Sequence, residues 1–207
     1  MEERGKMAFF KDENIDCNEI ISLLKYHPYR VNTIYGIKNN PFFDKTSGYM
    51  LDLKKGDPKM IKDLHKNLKS VLGTGFAISI VPSHIEKSCN DNSPLSIVAK
   101  KLVKSNNLID ATNCLIRTKK IDKLSNGGNR SCSVHYNSIC VKYPSIISNK
   151  SVLLLDDITT TGNSLNACKQ LLLEAGASEV CMLAVAKTVN DREKANEYFF
   201  EQKMRLR

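Results

Sequence analysis

The stretch Val152 to Ser164 (VLLLDDITTTGNS) limits the choice of fold more than any other part of the chain. Its apolar residues run directly into two acids, Asp156 and Asp157, as in a buried parallel strand that ends in carboxylates. Small hydroxyl residues and a glycine follow, and then a helical pattern begins. Loop amides and a helix N-terminus favour a phosphate, while carboxylates at a strand end favour a sugar diol. The stretch therefore predicts a sugar-phosphate site at the carboxyl edge of a parallel sheet.

Strand-like and helix-like patterns alternate along the whole chain, which predicts an α/β domain with a central, mostly parallel sheet flanked by helices. Asp57-Pro58 and Ser93-Pro94 each place a capping residue before a proline, and each predicts a helix start. The predicted strands are 31–37, 48–53, 76–81, 114–117, 134–141, 151–157 and 179–186. Further helices are predicted for 15–24, 165–176 and 191–207.

Composition excludes several other classes of protein. The 207 residues are 42% hydrophobic and 26% charged, unlike a disordered tail, a fibrous repeat or a collagen-like chain. No apolar run is long enough for a membrane span and no signal peptide is evident, so we expect a cytoplasmic protein without a membrane partner. The seven cysteines form no CxxC pair, and the four histidines show no metal spacing. Reduced thiols and no protein-held metal are therefore expected.

The net charge of +9 is concentrated in one segment. Residues 98–150 contain ten basic and two acidic side chains, a local balance of +8. Such a segment suits a polyanionic partner, either a phosphorylated small molecule or a nucleic acid, but it can also be an ordinary solvated face. A further candidate binding surface combines Tyr26, Tyr29 and Tyr35 with Arg30 and Lys38, which could stack on bases or simply belong to core and rim.

The stretch VLLLDDITTTGNS closely resembles the phosphoribosyl pyrophosphate (PRPP) signature of type I phosphoribosyltransferases. More widely, Gly48 to Thr188 resembles the ComF-type branch, which is linked with DNA uptake in competent bacteria. The matching stretches are YMLDLKKGD, FAISIVPSH and LIRTKKIDKLSNGGNR. The N-terminal zinc-binding cysteine cluster common in that branch is absent here, and its Arg-Gly-aromatic-Asn segment is replaced by EKSCNDNSP.

The resemblance implies a type I phosphoribosyltransferase-like fold with a small hood-like subdomain. Residues 1–47 would form the N-terminal extension with hood elements, residues 48–190 the core, and residues 191–207 a C-terminal surface helix. The implied activity is transfer of a phosphoribosyl group from PRPP to an unspecified acceptor, with release of pyrophosphate.

The resemblance also implies roles for individual residues. Asp156 and Asp157 would hold the ribose hydroxyls, and they would contact Mg²⁺ only through water, because the ion would arrive with PRPP. The 5′-phosphate would be cradled by Thr159, Thr160, Thr161, Gly162, Asn163 and Ser164. The short pyrophosphate loop would be Val81, Pro82, Ser83 and His84. The catalytic cations, on a flexible loop from Arg117 to Arg130, would be Arg117, Lys119 and Lys120, with Lys123 beside them.

Two other functions stay open at this stage. The chain could be a non-catalytic module that senses PRPP or a nucleotide, or a nucleic-acid-associated component that uses residues 98–150. Competence, repair and antiphage defence assemblies would suit either role, with protein partners or a second copy of the chain. We also expect that a Gly162→Val protein folds but loses ribose-5-phosphate, because a side chain would intrude on the phosphate.

Overall fold

The computed structural model describes residues 9–12, 15–84, 92–121 and 131–205. At their centre is a five-stranded sheet in which all neighbouring strands run parallel. From one edge to the other, its strands are β1 (Ile20–Tyr26), β9 (Glu179–Thr188), β8 (Ser151–Thr159), β4 (Ala77–Ile80) and β5 (Ile109–Asp110). Two antiparallel pairs complete the described strands: β2 (Arg30–Thr33) with β3 (Gly36–Asn39), and β6 (Leu115–Arg117) with β7 (Ile139–Val141).

Helices cover both faces of the sheet. One face carries α1 (Lys45–Lys55), α2 (Pro58–Val71) and α3 (Pro94–Ser105). The other carries α4 (Cys132–Tyr136), α5 (Pro144–Ile147) and α6 (Asn163–Glu174). The last helix, α7 (Arg192–Arg205), packs beside β2. The prediction of an α/β fold with a central parallel sheet flanked by helices is confirmed.

The central strand β8 shows why the sheet must be covered twice. Leu153 and Leu155 pack into the core beneath α1 to α3, whereas Val152 and Leu154 pack into the core beneath α6. All four side chains are fully buried. A strand that is apolar on both faces is typical of a parallel sheet between two helical layers.

Both cap-proline pairs begin helices as predicted. Asp57 accepts hydrogen bonds from the backbone N–H groups of Lys59 and Met60, at 2.8 and 3.2 Å. Ser93 accepts one from the backbone N–H of Ser96 at 3.1 Å. These side chains satisfy donors that have no partner within the helix, so a local signal was sufficient to place α2 and α3.

Four element predictions are wrong. Residues 31–37 were predicted as one strand, but β2 ends at Thr33, a turn follows, and β3 begins at Gly36. Residues 15–24 were predicted as a helix, but Ile20–Tyr26 is the edge strand β1, paired in parallel with β9. Residues 48–53 were predicted as a strand, yet they lie within α1, where Asp44 caps Ser47 N–H at 2.8 Å. Residues 134–141 were predicted as one strand, but they contain the end of α4, a turn, and β7. Short apolar runs fit either period, and here the neighbouring elements decided which one forms.

The N-terminal part of the chain contributes to the central sheet. Strand β1 lies within residues 1–47, the range expected to be an extension, and it forms one edge of that sheet. The β2–β3 pair follows it and is tied to the start of α7 by the buried carboxylate of Asp191. Its Oδ2 accepts a hydrogen bond from Asn40 Nδ2 at 2.7 Å and lies 2.9 Å from His27 Nδ1. Both ends of the pair are thus anchored at one point.

Candidate functional site

A cavity of about 870 Å³ opens at the carboxyl ends of β1, β4 and β8, where parallel sheets commonly bind ligands. One wall is the segment after β4, a second is the end of β8 with the following loop, and a third is the start of β2. The proposed site residues that line it are Val81, Pro82, Ser83, His84, Arg117, Asp156, Asp157, Thr159, Thr160, Thr161, Gly162 and Ser164. Those that do not line it are Lys119, Lys120 and Asn163.

Asp156 and Asp157 form an acidic pair near the end of β8. Asp156 Oδ1 accepts a hydrogen bond from the backbone N–H of Asp157 at 2.9 Å, and Oδ2 accepts one from Ser164 Oγ at 3.2 Å. Burial, and then the charge of Asp157, raise the pKa of Asp156 to about 7. A carboxyl group with such a shift in a cavity is typical of a functional site. The hydroxyl of Ser164, a residue expected at a phosphate, thus hydrogen-bonds this acid in the structure.

Strand β8 continues further than the sequence indicated. Ile158 and Thr159 pair with Ala186 and Lys187 of β9, so Thr159 belongs to the strand and not to the loop. Its hydroxyl is buried and has no hydrogen-bond partner within the described residues. The hydroxyl oxygen of the next residue, Thr160, lies 3.0 Å from that of Thr188 at the end of β9. The loop that turns into α6 therefore starts at Thr160.

Gly162 precedes α6 in the left-handed conformation, with φ of +79°. A Cβ atom at this position would collide with Cδ1 of Ile20 on β1. The expectation that Gly162→Val folds but loses ribose-5-phosphate stays a prediction, and the structure adds that such a side chain requires the Ile20 side chain to shift. This glycine is needed both for its backbone angle and for the close approach of the loop to the edge strand.

The side chain of Arg117 holds the segment Val81 to His84 in place through hydrogen bonds to its backbone. Its guanidinium donates to the backbone oxygens of Ser83 and Pro82 through Nε and Nη2, at 2.6 and 3.3 Å. Nη1 donates to Ser138 Oγ at 2.6 Å. Only 1% of the residue is exposed, because it lies in β6 and not on a flexible loop. The expectation that Arg117 lies on a mobile loop is corrected: it lies in β6, and three of its five N–H donors bind the protein.

His135 is a cavity residue that the sequence analysis did not assign. It lies in α4, is 2% exposed, and its Nδ1 has no hydrogen-bond partner among the residues described. Burial, followed by the charge of Arg117, lowers the pKa of its imidazole, which is therefore neutral at neutral pH. No motif in the sequence could have placed His135 here, because it reaches the cavity only through the packing of α4 on the sheet.

Lys54 is a second residue that the sequence analysis missed. Its Nζ lies 3.3 Å from Asp157 Oδ2, which joins the last turn of α1 to the acidic pair on β8. Both side chains line the cavity. Residues 48–53, just before Lys54, were predicted as a strand, so the sequence could not indicate that the Lys54 side chain lies at the site.

The third wall is formed by polar side chains around the start of β2. Val31 and Thr33 are buried, whereas Arg30 and Asn32 alternate with them and line the cavity. Pro28 lines the same wall. No ion pair of Arg30 occurs within the described ranges, so its charge is available to a ligand.

The tyrosines proposed as a stacking surface are not brought together. Tyr26 lines the cavity with Arg30. Tyr29 packs edge-to-face on Phe43, with ring centroids 5.3 Å apart. Tyr35 contacts the ammonium of Lys203 on α7, 4.1 Å from the ring centroid. The other two rings therefore serve packing around the β2–β3 pair.

The basic residues of segment 98–150 do not share one surface. Lys101 and Lys104 lie on α3, on one face of the sheet, whereas Lys142 and Lys150 flank α5 on the other. Residues 122–130, with Lys123 and the loop glycines, lie outside the described residues. The charge that is contiguous in sequence is thus divided in space.

The part of the chain that the structure describes contains neither a candidate metal site nor a helix that could span a membrane. No group of three or more His, Cys, Asp or Glu side chains is arranged to hold a metal ion there. None of its helices combines the length and apolar character needed to cross a bilayer.

The family described as phosphoribosyl transferase domain matches residues 92–203, just over half of the chain. No curated protein sequence matches. Among solved structures, the chain is similar to adenine phosphoribosyltransferase from Leishmania tarentolae, at 15% identity and a TM-score of 0.39, covering 81% of this chain and 87% of that one. It is also similar to adenine phosphoribosyl transferase from Trypanosoma brucei, in complex with AMP, pyrophosphate and ribose-5-phosphate. The identity is 13% and the TM-score 0.39, and the match covers 70% of this chain and 82% of that one. A third similar structure is phosphoribosylpyrophosphate synthetase from Mycobacterium smegmatis, at 14% identity and a TM-score of 0.34. The match covers 66% of this chain but only 33% of the length of that one.

Proposed function

Because this chain belongs to the phosphoribosyl transferase domain family, we propose that its cavity binds PRPP and that the protein transfers the phosphoribosyl group to an acceptor. The observation that carries this proposal is the meeting of three features at one cavity. These are the acidic pair, the loop leading into α6, and the segment Val81 to His84. PRPP offers a counterpart to each of them: a ribose diol, a 5′-phosphate and a pyrophosphate.

The ribose and its phosphate would lie along the end of β8. The carboxylates of Asp156 and Asp157 accept hydrogen bonds from the ribose hydroxyls in this arrangement. The backbone amides from Thr160 to Ser164, with the N-terminus of the twelve-residue helix α6, hold the 5′-phosphate. The hydroxyl of Thr159, which has no hydrogen-bond partner in the described part of the chain, is a further donor on the same wall.

The pyrophosphate would lie against the segment Val81 to His84, which Arg117 positions without contacting the ligand. Lys119 and Lys120 are exposed, and the backbone N–H of Ile121 donates to His84 O at 3.2 Å, so these lysines are close to that segment. We assign them to neutralising the leaving group. In the reaction the C1–oxygen bond breaks with its electron pair on pyrophosphate, and a nucleophilic atom of the acceptor bonds to C1. The protein contributes positioning and charge stabilisation.

The donor set suits Mg²⁺ delivered with PRPP. This ion usually takes one or two carboxylates together with substrate phosphates and waters, and the cavity offers two carboxylates and no dedicated three-residue cage in the described part of the chain. Asp156 and Asp157 would hold it through water. Bound there, it would reduce the negative charge of the pyrophosphate.

The acceptor would lie against the third wall, because the other two are taken by PRPP. The guanidinium of Arg30, which forms no ion pair within the described residues, favours an acceptor with a negatively charged group. Asn32 offers an amide for the polar edge of that acceptor. The ComF-like assignment rests on the three stretches that resemble that branch. A nucleic-acid role through residues 98–150 is less favoured, because those cations are divided between two faces.

Calorimetric titration with PRPP and Mg²⁺ tests the binding site. We expect the double variant Asp156→Asn, Asp157→Asn to lose binding, because the shape is kept and the charge is removed. The matched control is Asp52→Asn with Asp63→Asn, on α1 and α2 away from the cavity, and it should bind as the wild type does. Wild-type affinity in the Asp156, Asp157 double variant would refute the site assignment.

Release of labelled pyrophosphate from PRPP, with and without candidate acceptors, tests the transfer. Anionic and neutral acceptors of equal size should be compared, since Arg30 is expected to favour the former. Tight PRPP binding without any release would favour the non-catalytic sensing module.

A further inference from the structure

The ammonium of Lys54 is a charged group of the cavity to which no motif assigns a role. Its Nζ lies 3.3 Å from Asp157 Oδ2, and the two side chains are 45% and 37% exposed. An ion pair with that exposure contributes little to stability, generally less than about 1 kcal/mol. Stability alone therefore gives no reason to bring this lysine to the acidic pair.

Lys54 occupies the junction between two parts of the site. Besides the main cavity, it lines a second cavity of about 180 Å³, which is bounded by Val81 to Ser83 and by the start of α3. Asp156 and Asp157 line both cavities as well. The lysine thus lies between the carboxylates and the segment after β4. A ligand that spans these two features passes beside its ammonium.

The other described cations of the cavity are committed elsewhere. Arg117 uses its guanidinium on the protein, and Arg30 lies on the third wall. Lys119 and Lys120, which the proposed function assigns to the leaving group, lie outside the cavity lining, so that Lys54 would act on the pyrophosphate together with them. The next residue of α1, Lys55, is turned away and pairs with Asp52 at 3.0 Å on the surface. The chain therefore offers a matched control for Lys54 one residue away.

We propose that Lys54 contacts the substrate, holding the pyrophosphate of PRPP while it stays beside Asp157. This inference rests on the proposed function and adds a residue to it. An ammonium has three N–H donors, so it can serve a carboxylate oxygen and a pyrophosphate oxygen together. The same contact fixes the direction of the pyrophosphate relative to the ribose hydroxyls.

Calorimetry with PRPP and with ribose-5-phosphate, both with Mg²⁺, tests this role in the full chain. Ribose-5-phosphate lacks the pyrophosphate. Lys54→Met should therefore lower the affinity for PRPP about tenfold and the affinity for ribose-5-phosphate by less than about twofold. Lys54→Arg should restore most of the PRPP affinity, because it keeps the charge. Lys55→Met should leave both affinities unchanged. Thermal melting of each variant verifies that it is folded.

Two results would overturn the inference. One is wild-type PRPP affinity in Lys54→Met. The other is an equal loss for both ligands, which would mean that Lys54 only orders the acidic pair. Either result leaves the proposed function standing, provided that the wild-type protein binds PRPP. A wild-type protein that binds neither ligand would instead refute the proposed function itself.

Discussion

Asp156 is the residue whose acid–base chemistry is most altered by the fold. Its pKa in the folded protein is about 7, whereas the ordinary value is 3.8. Between these values the folded chain keeps a proton that the unfolded chain releases, so stability falls as pH rises through this window. At lower pH both states are protonated and the penalty disappears.

The variant Asp156→Asn removes this penalty and should be more stable than the wild type at neutral pH. We expect a gain of up to about 4 kcal/mol at about pH 7.5, and of less than about 1 kcal/mol at about pH 4. Urea unfolding at both pH values measures this gain in unfolding free energy. Equal stability of variant and wild type at the higher pH would contradict the burial argument, whatever the variant does to PRPP.

Gly162 gives a test at the closest contact between the loop and the edge strand. Gly162→Ala should cost about 1–3 kcal/mol, from the left-handed backbone and from the collision with Ile20 Cδ1. The substitution Ile20→Val removes that carbon, so Gly162→Ala should cost less in an Ile20→Val background. Gly48→Ala is the control, because a Cβ there meets nothing within 4 Å. An identical loss of unfolding free energy in both backgrounds would show that the contact with Ile20 Cδ1 does not contribute to it.

The sequence could predict those site residues that lie in one continuous motif. Asp156, Asp157 and Gly162 are fixed by the strand, loop and helix that they themselves form. Lys54 and His135 come from α1 and α4, and only the packing of those helices on opposite faces of the sheet brings them to the cavity. That packing depends on long-range contacts, which no local pattern encodes.

At the scale of elements, Arg117 joins β6 to the segment that follows β4. Arg117→Met should lower the unfolding free energy by about 2–4 kcal/mol, because it leaves the oxygens of Pro82 and Ser83 without their charged donor. Lys119→Met, two residues later and exposed, should change it by less than about 0.5 kcal/mol. Chemical denaturation compares the two. A small effect of Arg117→Met would show that the segment is held by other contacts.

Elements with a strong terminal signal were predictable, and ambiguous apolar runs were not. The caps Asp57 and Ser93 act within one turn, so α2 and α3 follow from local chemistry. Ile20–Tyr26 is a strand because β9 offers it an edge. The apolar spacing of this stretch alone also fits a helix, and only the pairing with β9 decides between helix and strand.

At the scale of the whole molecule, the first part of the chain is needed by the sheet. A fragment of residues 48–207 lacks β1, which exposes the edge of β9, and it lacks the third wall of the cavity. We expect this fragment to show no cooperative melting by circular dichroism, and co-expression with residues 1–47 to restore it. A sharp transition in the fragment alone would show that the core 48–190 is independent.

The pairing of β1 with β9 has a consequence for biogenesis. Strand β1 is translated well before its partner β9, and His27 lies 164 residues before its partner Asp191. Contacts this distant in sequence slow folding, because a long loop must close before they form. Strand β1 and the cavity wall that follows it therefore remain without their partners until β9 and Asp191 have been synthesised. Until Asp191 has left the exit tunnel, the nascent chain carries an unpaired strand that a chaperone could recognise.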